Sequence, residues 1–164
     1  MDNQQERLMR LAYVAGLIAG EGWFGITVLR RERKLQLVPR FAIQMNDKAT
    51  ILWAADVFKE YGFPHHVTKT QDRIEIVGLK RLARFLPGIV PLLTGHKQAV
   101  AKVVQEWVEY RLTQPYHFVN YTEHDIDLVN RIRTMNAGNG KDKLIPVSIL
   151  RDYTLSTRPK AKKI

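Results

Sequence analysis

The sequence predicts an α+β fold in which helices and β-hairpins alternate in the order helix, hairpin, helix, hairpin, helix, with further helices after them. Apolar residues recur every three or four positions over 6–20, 48–61 and 95–112. They alternate with polar residues over 23–45, on both sides of a charged turn. Because a helix repeats about every 3.6 residues and a strand every two, the two periods distinguish the elements.

The bulk composition limits the class of protein. The chain has 164 residues, 45% of them hydrophobic, and we expect one domain over 1–155 followed by a basic tail over 156–164. No apolar run approaches the roughly 18 residues of a membrane span, and residues 1–10 do not resemble a signal peptide. We therefore expect no membrane partner and an intracellular location, in the cytoplasm, the nucleoid or an organelle. The absence of cysteine excludes disulfides and cysteine-ligated zinc.

The charge of the chain points to a polyanionic partner. Lysine and arginine number 26 against 16 acidic residues, which gives a net charge of +10. Such an excess favours nucleic acid before a membrane surface. Lys141, Lys143 and the tail are predicted to contact phosphate groups, which adds affinity without sequence information.

The first predicted helix, over 6–20, carries small residues where a buried helix normally has Leu or Val. Gly16 and Gly20 each cost about 1 kcal/mol relative to Ala. Close approach of a second backbone is the usual compensation. With Ala12, Ala15 and Ala19 they form a stripe against which another helix can pack.

Two hairpins are predicted. The first has strands over 23–33 and 35–45 with charged residues around its turn, and Pro39 argues for a bulge or an edge position in the return strand. The second covers 64–77 and turns at Gln71-Asp72.

Helix boundaries follow from capping residues and breakers. Asp47 is predicted to cap a helix over 48–61, which Gly62 ends. A short helix over 79–86 is closed by Pro87-Gly88. The remaining predicted elements are a helix over 95–112, a linker over 113–122, a helix over 123–135, a basic loop over 136–143 and a last short helix within 145–155.

One stretch, Val14-Ala15-Gly16-Leu17-Ile18-Ala19-Gly20-Glu21-Gly22, places a carboxylate between two glycines at the end of the apolar helix. A carboxylate in such surroundings is costly unless it is paired or binds a metal. The stretch resembles the signature of the LAGLIDADG homing endonucleases, and it departs from that signature at Ala19, where the family often has Asp. The resemblance extends from residue 8 to about 112. It implies an αββαββα fold with a saddle-shaped antiparallel sheet, extended here by C-terminal helices.

The resemblance assigns catalytic roles. Glu21 matches the acidic metal ligand, and Gly20 matches the residue whose backbone oxygen also binds the metal. The implied cofactor is Mg²⁺ or Mn²⁺, with Ca²⁺ binding without supporting cleavage. Asp47 matches a polar residue near the attacking water, and Lys97 matches a basic residue that stabilises charge on the phosphate. His96 is the alternative to Lys97, because the alignment slips by one position there.

A two-stranded ribbon fits the major groove of DNA, and in the resembling family one face of the sheet contacts bases. Strand alternation assigns to that face Arg40 and Arg73, which can bond guanine, and Gln44, which can bond adenine. The other predicted contact residues are Thr27, Leu29, Arg31, Arg33, Gln36, Val38, Ala42, Thr68, Thr70 and Glu75.

The motif occurs once, which in the resembling family implies a homodimer with Ala12, Ala15, Gly16 and Ala19 at its two-fold interface. A two-fold dimer implies a pseudo-palindromic double-stranded DNA target. The implied function is site-specific double-strand cleavage across the minor groove, leaving short 3′ overhangs, in intron homing and without a small-molecule substrate. Two alternatives remain open: an RNA maturase that assists intron splicing, and a non-catalytic DNA-binding regulator on the same fold.

Overall fold

The computed structural model describes residues 3–31, 34–115, 121–137 and 144–154. The predicted α+β class and the predicted order of elements are confirmed. Among the described helices, none is both long and apolar enough to cross a membrane. The elements are α1 (Asn3–Glu21), β1 (Gly22–Arg31), β2 (Lys34–Gln44), α2 (Lys48–Glu60), β3 (His66–Val67), β4 (Arg73–Val77), α3 (Leu79–Ile89), α4 (Gly95–Thr113), α5 (Glu123–Asn136) and α6 (Ile149–Thr154).

The four strands form one antiparallel sheet in the order β1-β2-β4-β3. β1 and β2 pair along their whole length, from Gly22 opposite Ile43 to Arg31 opposite Lys34. Of the eleven residues of β2, only residues 40–44 pair with β4. The distal half of the long hairpin therefore extends beyond β4.

The helices cover one face of this sheet, and a cluster of phenylalanines lies at the centre of the core. The ring centroid of Phe41 is 4.9 Å from that of Phe24 on β1 and 4.7 Å from that of Phe85 on α3. All three side chains are buried. Burying a side chain of this size stabilises a fold by roughly 1.5–3 kcal/mol. Because side chains alternate along a strand, the residues between these core positions lie on the opposite face, away from the helices.

A buried ion pair joins α4 to α5. Arg111 Nη1 donates to Asp125 Oδ2 at 3.1 Å, and both side chains are fully buried. Trp107 Nε1 donates to Asp125 Oδ1 at 3.0 Å. Asp125 also completes a capping box with Thr122 at the start of α5. A buried carboxylate is tolerated when its oxygens are hydrogen-bonded, and here both are.

β2 accommodates Pro39 without a bulge. The register runs through Pro39 opposite Ile26 without interruption, so the bulge alternative is wrong. Pro39 O accepts from Gly78 N at 3.0 Å, which places its ring nitrogen on the side away from β1, where β4 has ended. On the side that faces away from β1, β2 has no paired strand at Pro39, so Pro39 lies at a local edge of the sheet. An edge position was the other predicted alternative. Two residues earlier, Leu37 N donates to Tyr121 Oη at 3.0 Å instead of to a strand.

The second hairpin is shorter than predicted. Residues 68–72 form its turn, in which Gln71 has a φ of 57°. Thr68 and Thr70 therefore lie in the turn, and their predicted place on a strand is wrong. Both hydroxyls donate to Asp72 Oδ1. The Asp72 carboxylate stabilises the turn, because it accepts hydrogen bonds from residues two and four positions before it.

α3 continues to Ile89, so its predicted end at Pro87-Gly88 is wrong. Leu86 and Ile89 are both fully buried, and continued helix keeps both side chains in the core. A Cβ at Gly88 would lie 2.8 Å from Phe63 Cζ. Gly88 thus allows close packing against the Phe63 ring and does not end the helix.

Candidate catalytic centre and nucleic-acid interface

The end of α1 leads directly into β1 and leaves Glu21 exposed. A Cβ at Gly22 would lie 2.5 Å from Ile18 O and 2.7 Å from Ile18 Cγ2. Only glycine at position 22 therefore allows β1 to begin directly after α1 in this orientation. The last carbonyl groups of a helix have no intrahelical partner. Gly20 and Glu21 are the last two residues of α1, so their carbonyl groups are among those without an intrahelical partner.

Lys97 reaches this position from the first turn of α4. Its Nζ donates to the backbone oxygen of Gly22, and its side chain is half-buried. An ammonium group is thereby held one residue away from Glu21. His96, the alternative to Lys97, is exposed.

Asp47 caps α2, as predicted. Its Oδ1 accepts from Ala49 N at 3.0 Å and from Thr50 N at 3.3 Å, and its Oδ2 accepts from Thr50 Oγ1 at 2.7 Å. The hydrogen bond from the Thr50 hydroxyl, followed by that from the Thr50 backbone, lowers the pKa of Asp47 below its ordinary value. The carboxylate is therefore ionised at neutral pH. Its assignment to catalysis stays a prediction.

Strand register places the three catalytic candidates at one end of the sheet. Gly22 pairs with Ile43, so Glu21 lies beside the end of β2. Asp47 follows that end by three residues. Lys97 is bonded to the first residue of β1. These side chains come from three separate elements that meet where α1 ends.

The donor set at Glu21 fits a divalent cation that is only partly held by protein. Among the described residues there is no group of three or more His, Cys, Asp or Glu that could hold a metal. Mg²⁺ is usually bound by one or two carboxylates, with waters and substrate phosphates completing its shell. The Glu21 carboxylate and the backbone oxygen of Gly20 suit that mode, because both are hard oxygen donors.

Cross-strand pairs show that most predicted contact residues share one face. Paired residues on neighbouring antiparallel strands point to the same side of a sheet. The pairs are Thr27 with Val38, Leu29 with Gln36, Gly25 with Arg40, Ala42 with Glu75, and Gln44 with Arg73. We call this side, opposite the helices, the outer face. Arg31 pairs with Lys34 at the end of the hairpin. Arg33, Lys141, Lys143 and the tail over 156–164 lie outside the described residues.

Arg73 is held in a fixed orientation on the outer face. Its Nη1 donates to Glu75 Oε1 at 3.1 Å and its Nη2 donates to Gln44 Oε1 at 2.7 Å. The amide oxygen of Gln44 is therefore occupied, which leaves its NH₂ group pointing elsewhere as a donor. Arg40 Nε is buried and has no hydrogen-bond partner among the described residues.

Solved structures match this architecture along most of the chain. The homing endonuclease I-CvuI, in complex with its target in the presence of calcium, is 18% identical with a TM-score of 0.64, over 93% of this chain and 96% of that one. The archaeal intron-encoded homing endonuclease I-Vdi141I, complexed with DNA, is 14% identical with a TM-score of 0.68, over 90% of this chain and 98% of that one. The LAGLIDADG homing endonuclease I-GzeII, in complex with its DNA target, is 16% identical with a TM-score of 0.58, over 88% of this chain and 48% of that one.

The chain has the LAGLIDADG homing endonuclease fold. It matches almost all of I-CvuI and I-Vdi141I, but about half of I-GzeII. No protein-family profile and no curated protein matches the chain.

In this copy of the LAGLIDADG fold, α1 exposes most of its predicted stripe. Ala12, Gly16 and Ala19 are exposed, and a Cβ at Gly16 would have no atom within 4 Å. Ala15 is 3% exposed and belongs to the core, so its predicted interface position is wrong. The reason is helical geometry: Ala15 shares a face with Ile18, three residues later, which is fully buried.

Sequence reasoning missed Trp23, which is 41% exposed and pairs with Ala42 on the outer face. The signal was present, because the alternation that selects Thr27 and Leu29 reaches Gly25 and Trp23 when it is extended backwards. A tryptophan considered alone is interpreted as a core residue, so Trp23 was not assigned to the outer face.

Proposed function

We propose that this chain is a divalent-metal-dependent endonuclease that cleaves double-stranded DNA at a specific site. The observation that carries the proposal is the exposed Glu21 carboxylate at the end of α1, with the Lys97 ammonium group bonded one residue away. Hydrolysis of a phosphodiester needs a bound cation and groups that stabilise negative charge. The shared fold with I-CvuI and I-Vdi141I, both solved with their targets or DNA, supports this reading.

The residues take separate roles in this proposal. Glu21 and the backbone oxygen of Gly20 would hold the cation, which when bound would supply the activation of water and the stabilisation of the leaving oxygen. Lys97 exchanges the carbonyl of Gly22 for a phosphate oxygen and stabilises its charge. Asp47, ionised by its bonds to Thr50, accepts a hydrogen bond from the attacking water.

The outer face binds the major groove of the target. Arg40 lies on this face, and Arg73 is oriented there by Glu75 and Gln44. Arginine bonds guanine and glutamine bonds adenine in that groove. The net charge of +10 supplies the attraction to phosphate groups that is independent of sequence.

Two copies act together as a homodimer. The motif with Glu21 occurs once in the sequence, so two copies would provide one such carboxylate for each DNA strand. The exposed small residues Ala12, Gly16 and Ala19 let two α1 helices approach closely. A two-fold axis there places two outer faces on the half-sites of a pseudo-palindromic target, as intron homing requires.

A plasmid library that carries candidate insertion sites tests the proposal. We expect linear product with Mg²⁺ and none with EDTA. Glu21→Gln should bind DNA but not cleave it, because the neutral amide lacks the negative charge of the carboxylate ligand that Mg²⁺ prefers. Glu6→Gln is the matched control: the same change, at an exposed position in the first turn of the same helix, should leave cleavage unchanged.

Other outcomes would contradict nuclease function. Tight, sequence-specific binding without cleavage by the wild-type chain identifies a DNA-binding regulator. Tight binding to structured intron RNA, without binding or cleavage of any plasmid in a library that contains the insertion site, identifies a maturase.

A further inference from the structure

Trp23 is the largest apolar side chain on the outer face, which also carries Leu29 and Val38 beside its polar and charged residues. It is the second residue of β1 and lies two residues after Glu21. Its pairing with Ala42 puts it on the outer face, and it is 41% exposed. Single exposed apolar residues are common on protein surfaces. Its position alone therefore gives no function.

The neighbouring backbone is shaped to hold the indole ring flat. A Cβ at Gly25 would overlap Trp23 Cζ2 and would lie 2.5 Å from Trp23 Cη2. Only glycine lets the ring lie across the strand at this point. Glycine inside a strand is less favourable than Ala, because it loses more backbone entropy on folding. The cross-strand partner Ala42 is also small. We call Gly25 and Ala42 the seat of Trp23.

The surroundings of the seat suit DNA better than a protein partner. Arg40 stands opposite Gly25, and Gln44 and Arg73 form the next outer-face pair beyond Ala42. Glu75 also pairs with Ala42, but its carboxylate accepts from Arg73, which offsets its negative charge. The net charge of +10 favours a polyanionic partner, and arginine is a residue type that contacts both phosphate groups and base edges.

We propose that Trp23 contacts the methyl group of a thymine at the end of the recognition site nearest the cut. The C5 methyl of thymine is the apolar group that DNA presents in the major groove. The seat holds the indole ring on the outer face. Because Trp23 follows Glu21 by two residues, the ring lies beside the proposed catalytic centre. This inference rests on the proposed function, because it requires sequence-specific binding of DNA by the outer face.

The test uses binding sites selected from randomised duplexes in Ca²⁺ by the full wild-type chain. Each thymine in one half-site is then replaced by deoxyuridine, which removes only the methyl group. For one thymine near the centre, we expect the swap to weaken wild-type binding about four-fold, which is the size expected for losing one buried methyl. In Trp23→Ala the same swap should have no effect.

Two further variants act as controls. Leu29→Ala removes another apolar residue of the outer face, far from Glu21, and should keep the central thymine effect. Gly25→Ala keeps the indole but displaces it from its seat, and should lose the effect. Unfolding midpoints of all variants confirm that each chain is folded before binding is compared.

The outcomes separate this inference from the proposed function. If wild type selects a site but has no central thymine effect, or if Trp23→Ala keeps that effect, only the role of Trp23 fails. If Trp23→Ala changes the sedimentation mass and not the thymine effect, Trp23 contacts a second copy and the inference is overturned. If wild type selects no sequence at all, both proposals fail.

Discussion

At the scale of single residues, Gly16 and Gly22 belong to the same motif but stand in opposite surroundings. Gly16 faces open space, whereas Gly22 abuts the backbone oxygen of Ile18. Gly22→Ala should destabilise the fold by about 1–3 kcal/mol, because helix and strand must separate to admit a methyl group. Gly16→Ala should stabilise α1 by up to about 1 kcal/mol. Urea unfolding at low protein concentration measures both, and a Gly22→Ala chain as stable as wild type would contradict this account.

Asp47 combines a structural and a proposed catalytic role, and two substitutions separate them. Asn caps a helix about as well as Asp, whereas Ala does not. Asp47→Asn should therefore keep the unfolding midpoint at neutral pH and lower the cleavage rate. Asp47→Ala should lower both. If Asp47→Asn cleaves like wild type, Asp47 is a cap and nothing more.

The pKa of Asp47 adds a pH signature to the same pair of variants. Its folded pKa is lowered from 3.8, so its contribution to stability is present above that value. The contribution is lost as the pH falls through the lowered folded pKa. Wild type should lose stability in that acidic range more steeply than Asp47→Asn, as followed by circular dichroism.

At the scale of elements, two ion pairs join α4 to α5 and form a natural comparison. Arg111 and Asp125 are fully buried, whereas Glu106 and Arg131 are 52% and 55% exposed and 3.6 Å apart. Asp125→Ala leaves a buried guanidinium without its carboxylate and should cost about 3–5 kcal/mol. Glu106→Ala should cost no more than about 1 kcal/mol. Equal effects in urea unfolding would show that burial does not decide the strength of this link.

The exposed stripe of α1 makes a prediction about assembly. Gly16→Leu has room within one chain, since a Cβ there meets no atom within 4 Å, but it blocks close approach of a second helix. Sedimentation equilibrium should show a dimer for wild type and a monomer for Gly16→Leu. Lys102→Leu, which adds the same side chain at an exposed position of α4, should remain dimeric. A dimeric Gly16→Leu chain would place the interface elsewhere.

The order of elements was predictable because periodicity and capping are local. The N-cap at Asp47 and the hairpin of β1 and β2 follow from residues within a few positions of each other. Two of the errors have non-local causes: α3 continues through Gly88 because Leu86 and Ile89 are buried in the core, and Ala15 is buried by the orientation of the whole helix. The Arg111–Asp125 pair was not predicted, because its partners are 14 residues apart on different helices. The site was found through one local motif, whereas the seat of Trp23 required the three-dimensional structure.

At the scale of the whole molecule, the net charge of +10 per chain predicts binding that weakens steeply with salt. The logarithm of the binding constant should fall by about 0.9 per phosphate contact for each tenfold rise in salt. Lys143→Gln should reduce that slope by about one and affect all sequences alike. Gln44→Ala should leave the slope unchanged and relax the preference at one base pair. Fluorescence anisotropy over a salt series distinguishes the two, and identical slopes for Lys143→Gln and wild type would rule out the phosphate contact.

Pro39 and Tyr121 have a consequence for solubility. Beyond β4, one side of β2 is an open strand edge, and such edges promote aggregation by recruiting strands from other molecules. Pro39 has no N–H that a strand from another molecule could bond. The N–H of Leu37 already donates to the Tyr121 hydroxyl. Strand addition at these two positions of β2 is thus blocked, which lowers the tendency of the long hairpin to aggregate through that edge.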